Sequence, residues 1–514
     1  MMNDTAHKTR LIARNTLMLY FRMFFLMILG LFTSRIVLES LGENDYGIYN
    51  VVGGVVAMFT VISGALATAV TRFITFEMGK GTSAELNKVY STAVNVQIIL
   101  AVIIVLIAEP VGLWFIDNKM TIDPSRIPAA RVGMQFSLLS FVINLMSVPQ
   151  MASITAHEKM SAYAVIGILD GCLRFAAALL LSRSGSDRLV MYAALMCASV
   201  IAVRVAYGIY CRLHFPECRY RFIFDKSLVK DMFSFAGWSF IGSSSGVLRD
   251  QGGNLLINLF FDPAVNAARG VAVQLNNAIQ SFITNFMTAV NPQITKSYAS
   301  GDHVYMFSLI RKASRMSFYL LFILALPVLF NAEMVMSIWL KEVPEHSALF
   351  VQLFLIFTLS ESISQPLITS MFATGNIRNY QIVVGGLQLM NLPVSYICLR
   401  YGASPESTIV VAIVISQICL AARLYMLKNL TGLSVRDFLT RVYLNVLSVA
   451  AAAVLLPFVI SGILPEGVTG FMISVTLSVL SACLSVLFVG CTSEERREML
   501  GFVKNRLTGK CYEE

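Results

Sequence analysis

Long apolar stretches are the feature that most limits how this chain can fold. Fourteen of them follow one another along the 514 residues, and each is close to the ~20 residues that a helix needs to cross the hydrocarbon core of a bilayer. Only 13% of the residues are charged, about half the fraction in soluble domains. The sequence therefore predicts an all-α integral membrane protein with about fourteen transmembrane helices. The predicted spans lie at about residues 15–38, 46–71, 91–116, 131–155, 160–182, 189–212, 231–260, 264–294, 313–340, 347–373, 379–400, 405–427, 441–463 and 468–490.

The lysines and arginines predict how these helices are oriented. The chain has 39 of them, and most fall on one side of the membrane when both termini are placed in the cytoplasm. Cytoplasmic loops of membrane proteins carry such an excess of positive charge. We therefore expect both termini in the cytoplasm. We attribute the net charge of +9 to topology rather than to nucleic-acid binding.

The chain contains an internal repeat. The segment 69–75, at the end of the second span, resembles the segment 289–295, at the end of the eighth. Further along, Pro149 and Pro366 start two patterns of Pro, Ala and Tyr with identical spacing. Six spans per repeat give both copies the same orientation. Transporters built from parallel repeats bind cargo between the repeats and alternate access by rocking them.

The repeat predicts five parts of the chain. Two six-helix lobes flank a basic cytoplasmic linker, and an extra helix pair and a cytoplasmic tail follow the second lobe. The extra pair either helps to form a groove for a lipid tail or only seals the helix bundle. The predicted parts are 1–212 (first lobe), 213–230 (linker), 231–430 (second lobe), 431–490 (helix pair) and 491–514 (tail).

Six arginines fall at or near membrane depth in the predicted spans. An arginine facing lipid at the centre of a helix costs about 2.5–3.5 kcal/mol, so most of these side chains should face a watery cavity or extend to an interface. A positively charged cavity in a membrane protein indicates an anionic cargo. The candidate anion-binding residues are Arg22, Arg35, Arg174, Arg249 and Arg269, whereas Arg204 is expected to extend to the interface.

Three acids in the spans or at their ends are candidates for gating or for coupling to a cation. Glu39 lies four residues after Arg35, and Asp170 lies four residues before Arg174, so each pair shares a helix face. These are either structural ion pairs or pairs that hold an arginine toward the cavity. Glu361, alone in the tenth span, is the candidate for coupling to H⁺ or Na⁺. No spacing of metal ligands is present, and no cofactor is expected.

Three short segments near the start of the chain carry a resemblance to a known family. They are Asn15-Thr16, Ser34-Arg35 and the run Leu-Gly-Glu-Asn-Asp-Tyr-Gly-Ile-Tyr at 41–49. Together with the six-plus-six-plus-two arrangement of spans, they resemble the Wzx-type flippases of O-antigen and capsule polysaccharide. Those proteins belong to the multidrug/oligosaccharidyl-lipid/polysaccharide (MOP) superfamily, whose fold is MATE-like.

The resemblance implies a transporter rather than an enzyme, located in a bacterial inner membrane. Its cargo would be an oligosaccharide linked to undecaprenyl diphosphate, moved by alternating access to the periplasmic leaflet for synthesis of lipopolysaccharide O-antigen or capsule. Partners would be membrane lipids, polysaccharide polymerase and glycosyltransferases, and not nucleic acid. The sequence has no phosphate-binding G-x-x-x-x-G-K-[ST] loop for a nucleotide.

Three other functions remain open. A lipid II flippase would share the superfamily plan and differ in its cargo. A cation-coupled multidrug antiporter would favour acids over arginines in its cavity, since its cargo is often cationic. A membrane-bound glycan polymerase or ligase would need large periplasmic loops with catalytic groups, and all the predicted loops here are short.

Overall fold

The computed structural model describes residues 2–497 except 82, 119, 121, 183–186, 341–342, 462–464, 466 and 494. All regular elements in these residues are helical, as predicted. The end of the predicted tail, 498–514, lies outside the described residues. The helices are α1 (Met2–Ala57), α2 (Thr60–Lys80), α3 (Ser83–Asn118), α4 (Ile127–Ala156), α5 (Met160–Ser182), α6 (Arg188–His214), α7 (Lys226–Phe260), α8 (Pro263–Ala299), α9 (His303–Phe330), α10 (Ala332–Trp339), α11 (Ser347–Thr374), α12 (Arg378–Tyr380), α13 (Gly386–Leu389), α14 (Asn391–Arg400), α15 (Ser407–Thr431), α16 (Val435–Phe438), α17 (Leu444–Ser461) and α18 (Val468–Ser485).

Three turns of π-helix, Gln381–Gly385, Leu439–Tyr443 and Val486–Gly490, continue or join neighbouring helices. With these turns included, the described residues contain twelve segments that are long and apolar enough to cross a membrane. Helices α7 and α8 are long but too polar to be among the twelve. The prediction of an all-α membrane protein is thus confirmed with about twelve candidate spans. A count of fourteen requires α7 and α8 to cross as well.

The chain separates into two compact units. The first comprises Met1–Ser244 and Thr288–Asp302, and the second comprises Ser245–Met287 and His303–Glu514. Helices α7 and α8 therefore each contribute one part to each unit. The units are defined by contacts and the predicted lobes by a sequence repeat, so the lobe limits stay predictions.

In the first unit, the segment around 41–49 forms a helix break held by charges. Gly42 interrupts α1 with φ of 75° and ψ of 169°, a conformation available almost only to glycine. Beyond the break, Asp45 accepts a hydrogen bond of 3.0 Å from Nε of Arg126, whose Nη1 donates to Asp187 at 2.7 Å. Partial burial alone would raise the pKa of Asp187, but Arg126 and the backbone N–H groups at the start of α6 hold it below its usual value. The residues just after the break are therefore held in place through Arg126.

A buried acid at the turn between α4 and α5 connects distant parts of the same unit. Glu158 has a φ of 58° and is 8% exposed. Its carboxylate accepts hydrogen bonds of 2.5 Å from Nζ of Lys296 and from Nε2 of Gln293, both near the end of α8. Its backbone carbonyl accepts a bond of 3.2 Å from the Asn15 amide. Asn15, from the Asn15-Thr16 segment that contributes to the family resemblance, thus has a structural role.

In the second unit, the last two spans are tied to α9 by buried polar contacts. Nη2 of Arg315 lies 2.6 Å from a carboxylate oxygen of Glu495, and Nη1 donates to the Gly490 carbonyl at 3.1 Å. One turn further along α9, the Tyr319 hydroxyl donates to the Asn445 side chain. Because a buried charge that loses its partner is costly, these contacts fix α17 and α18 onto α9.

Candidate anion-binding site

Arg269, on α8 in the second unit, is a buried cation without an acidic partner. The residue is 5% exposed, and no carboxylate oxygen of the described residues lies within 4.0 Å of its guanidinium. Its hydrogen bonds go to neutral acceptors: the Asn254 side chain and, at 3.3 Å, the backbone carbonyl of Asp250. Nε is buried and has no partner among the described residues. A buried charge in this state is unfavourable unless an anion binds.

Arg269 lines a pocket between helices α7, α8, α11, α14 and α15. Arg249 on α7 lines the same pocket, and its Nε donates a hydrogen bond to the Asp250 carboxylate at 2.9 Å. Because Asp250 is paired with Arg249, the charge of Arg269 is not balanced, and the pocket has an excess of positive charge. The lining residues are Arg249, Asp250, Gly253, Arg269, Phe354, Phe357, Asn391, Thr408, Ile409 and Ala412.

Asn391 adds a neutral donor to the pocket. The residue is 4% exposed, and its oxygen accepts a hydrogen bond from the Ser395 hydroxyl at 3.1 Å. Its Nδ2 is buried and has no partner among the described residues. Buried polar groups are normally satisfied, so an unpaired amide N–H and an unpaired guanidinium N–H from residues that line one pocket indicate a site for an oxyanion.

Arg22, on α1 in the first unit, has a similar environment. Its guanidinium carbon lies 4.4 Å from the centre of the Tyr163 ring, and its buried Nε has no partner among the described residues. The guanidinium also lies directly against Gly167, where a Cβ would collide with it. An aromatic ring and a helical glycine thus hold the side chain, and its Nε–H stays unpaired among the described residues.

The same combination surrounds Arg269. Its guanidinium carbon lies 5.5 Å from the centre of the Phe354 ring, and a Cβ at Gly253 would lie 2.7 Å from its Nη2. A guanidinium against an aromatic face gains roughly 0.5–2 kcal/mol without using its hydrogen-bond donors. Arg22 and Arg269 are therefore both positioned by packing, and each keeps an unpaired Nε–H among the described residues.

The two predicted i,i+4 pairs are formed, in more open positions. Arg35 and Glu39 are joined by a bond of 2.9 Å, with side chains 79% and 64% exposed. Arg174 donates to Asp170 at the same distance, and both of these side chains are partly exposed. Neither pair lines the pocket of Arg269. Their predicted roles in binding or gating stay predictions.

Glu361, the candidate for cation coupling, has a cationic neighbour that the sequence did not reveal. Nη1 of Arg423 lies 3.6 Å from its carboxylate, and the Arg423 side chain is only 1% exposed. Nε of Arg423 faces the Tyr380 hydroxyl at 3.4 Å. Arg423 lies near the end of the predicted twelfth span, and nothing in the sequence indicated that it would pair with the lone acid of the tenth.

Three further functional candidates went unrecognised in the sequence. Gly167 and Gly253 matter because of what lies against them, and a single helical glycine gives no such signal. Asn391 was one of many amides in the spans, and its unpaired donor is visible only in the fold. Among the described residues, no three His, Cys, Asp or Glu side chains come together in a way that would hold a metal ion.

Solved structures of membrane transporters share this architecture. The outward-facing conformation of a multidrug resistance MATE family transporter of the MOP superfamily has a TM-score of 0.70 at 12% identity, with 83% of this chain and 96% of that chain covered. A MATE transporter in complex with MaD3S gives 0.70 at 12% identity, with 83% and 97% covered. A MOP superfamily transporter from Pyrococcus furiosus, whose binding pocket is described as having reverse polarity, gives 0.66 at 12% identity, with 82% and 96% covered. The fold is therefore the MATE-like fold of MOP membrane transporters.

The sequence defines the family within this class. The pattern of the family described as "Polysaccharide biosynthesis protein" matches residues 12–298, which is more than half of the chain. The chain belongs to this polysaccharide biosynthesis family. It is thus a multi-pass membrane protein of this family, and the resemblance noted in the sequence is confirmed at the level of the family.

A curated protein also has a sequence similar to that of this chain. EpsK of Bacillus subtilis (strain 168), described as an uncharacterized membrane protein, is 21% identical over 315 residues. This match covers 61% of the present chain and 62% of EpsK. The chain thus spans about three-fifths of the length of this relative.

Proposed function

We propose that this transporter is a flippase for an oligosaccharide linked to undecaprenyl diphosphate, and that it serves the synthesis of O-antigen or capsule polysaccharide. The observation that carries the proposal is Arg269. It is buried, lacks an acidic partner among the described residues, and retains an unpaired N–H in a pocket with Arg249. A diphosphate supplies the oxygen acceptors and the negative charge that such a group lacks.

Arg22 is proposed as an anion-binding residue of the first unit. Its unpaired Nε and its packing against Tyr163 repeat the arrangement at Arg269. One arginine in each unit provides a binding group for each unit without requiring an acid to be displaced.

Charge movement supports export as the direction of transport. With both termini in the cytoplasm of an inside-negative cell, an anion that leaves moves with the membrane potential. The gain is about 2.3 kcal/mol per charge for each 100 mV. Coupled entry of H⁺ or Na⁺ would add to this gain. Glu361 is a weaker candidate for that role than its sequence suggested, since Arg423 already balances its charge.

The test is the content of lipid-linked oligosaccharide, resolved by leaflet, in cells that lack this protein. We expect diphosphate-linked glycan to accumulate on the cytoplasmic face and wild-type protein to clear it. Arg269→Gln and Arg22→Gln should each fail to clear it, and Arg131→Gln, which removes an exposed arginine paired with Asp117, should behave as wild type. If the Arg269→Gln variant still cleared the diphosphate-linked glycan, the proposed site would be wrong.

The identity of the accumulated lipid distinguishes the proposed oligosaccharide flippase from a lipid II flippase. Lipid II carries the same diphosphate, so the arginine pocket suits it equally well, and its accumulation would identify a lipid II flippase. Polysaccharide polymerase and glycosyltransferases are the proposed partners, since they consume and supply the lipid-linked unit. Unchanged lipid-linked glycan together with new sensitivity to cationic drugs would favour an antiporter instead.

A further inference from the structure

The segment that joins α6 to α7 is bound along the surface of α3. The Asn87 amide donates to the backbone carbonyls of Glu217 and Arg219 at 2.7 and 2.8 Å, and the Asn95 amide donates to that of Ile223 at 2.8 Å. Asn87 and Asn95 are eight residues apart and therefore share one face of α3. These bonds hold the backbone of the segment in place, and its side chains are presented on a fixed frame.

Both acids of the segment already have cationic or basic partners. Glu217 lies 2.5 Å from Nε2 of His157. Asp225 lies 2.7 Å from Nζ of Lys88, and the hydrogen bonds from Lys88 and Ser227 hold the pKa of Asp225 well below its usual value. The acids therefore do not compensate the arginines of the same segment.

Arg219 and Arg221 are exposed, and their guanidinium groups have no acidic partner among the described residues. They belong to a group of five basic residues between 212 and 230, next to the end of α6: Arg212, Arg219, Arg221, Lys226 and Lys230. Basic clusters of this size beside a transmembrane helix attract anionic lipid head groups. The excess charge thus indicates an anionic surface as the partner.

Aromatic side chains alternate with these arginines. Phe222 is 83% exposed, and Tyr220 and Phe224 are each about half exposed. The segment lies outside every candidate span of the described chain, between a span that ends at His214 and the start of α7. Aromatic rings at such positions enter the interface between head groups and acyl chains. An exposed phenylalanine on a rigid segment is unfavourable in water and favourable there.

We propose that the linker surface, defined as residues 219–224, binds the head groups of anionic phospholipid at the membrane interface. Arg219 and Arg221 contact the lipid phosphates, and Phe222 inserts beside them. The linker is thereby fixed to the membrane as well as to α3. This proposal is independent of the cargo, since the surface shares no residue with the pocket of Arg269.

The experiment compares two lipids on the full-length protein. Purified protein in mild detergent is incubated with an equimolar mixture of phosphatidylglycerol and phosphatidylcholine, and the retained lipids are counted by native mass spectrometry. We expect wild type to prefer phosphatidylglycerol and the double variant Arg219→Gln/Arg221→Gln to lose roughly 30-fold in that preference, which corresponds to ~1 kcal/mol per arginine. The control Lys428→Gln/Arg436→Gln, which removes the same charge from another exposed region, should keep it.

Salt provides a measurement that needs no variant. Raising the ionic strength from about 0.1 M to about 1 M shortens the screening length from ~10 to ~3 Å, and wild type should then lose its preference. An equal preference in wild type and in the linker variant would overturn the proposal, as would an equal loss in the control. The proposal would also be overturned if the linker surface bound an acidic protein or a nucleic acid but showed no preference for the anionic lipid.

Discussion

At the scale of single residues, a helical glycine lies against each of the two arginines that we assign to anion binding. Gly253 contacts Arg269 and Gly167 contacts Arg22. In both cases the atoms that approach the glycine belong to the end of a flexible side chain rather than to the backbone. A methyl group at either position would therefore move the guanidinium while the helix stays intact.

We predict that Gly253→Ala separates transport from stability. The new methyl group would displace Arg269, and a misplacement near 1 Å can lower activity by up to about 100-fold. Stability should change by less than ~1 kcal/mol, because alanine favours the helix. Transport is measured by leaflet-resolved glycan and stability by thermal unfolding in detergent. Gly270→Ala, with nothing within 4 Å of the new Cβ, is the control, and equal transport by both variants would contradict the prediction.

The buried pair of Glu361 and Arg423 gives a second prediction at this scale. Glu361→Gln would leave Arg423 buried without its acid, which typically costs about 3–5 kcal/mol of stability. Asp117→Asn breaks the exposed pair with Arg131 and should cost less than ~1 kcal/mol. The free energies of unfolding in detergent measure both. A stable Glu361→Gln variant that has lost dependence on H⁺ or Na⁺ would instead support the coupling role.

At the scale of elements, the break in α1 depends on a glycine with no steric neighbour. A Cβ at Gly42 or at Gly47 would meet no atom within 4 Å, so packing does not distinguish the two positions. Their backbones do, because only Gly42 has a positive φ. The break, and not the space around it, requires the glycine.

We predict that Gly42→Ala destabilises the protein by about 1–3 kcal/mol, the strain of this backbone conformation for a residue with a Cβ. Gly47→Ala lies within regular helix and should be neutral or stabilising by up to ~1 kcal/mol. Thermal unfolding of the two variants side by side decides the matter. If both lowered the midpoint equally, the explanation from φ would fail.

At the scale of the whole molecule, α7 and α8 determine whether the chain crosses the membrane twelve or fourteen times. Each is longer than the ~30 Å hydrocarbon core requires. Their polar residues Arg249 and Arg269 line a pocket, and inside a membrane protein such groups face a cavity rather than lipid. Helices α7 and α8 are too polar to count as candidate spans, but this polarity is compatible with their crossing the membrane.

We predict that both helices cross. Alkaline phosphatase, whose disulfides form only outside the cytoplasm, should be active when fused after Asp262 and inactive when fused after Asp302. Fusions after Asn118 and after Phe215 serve as active and inactive controls for the proposed orientation. Inactive fusions at both Asp262 and Asp302 would instead reduce the count to twelve spans.

Local patterns in the sequence accounted for the helices and for the contacts within them. An apolar stretch of about twenty residues predicts a helix in a membrane whatever surrounds it, and the bonds of Arg35 to Glu39 and of Arg174 to Asp170 follow from four-residue spacing. The family resemblance followed from short segments near the start of the chain. All of these features are properties of neighbours along the chain.

The sequence alone thus determined an all-α membrane protein of a recognisable family with arginines in its spans. Only the tertiary structure showed what surrounds these arginines. It placed Arg423 beside Glu361, Gly253 beneath Arg269, and the Asn391 amide in the same pocket. These partners lie on different helices, and helix packing brings them together through the shape and chemistry of many side chains at once. No spacing along the chain encodes that arrangement.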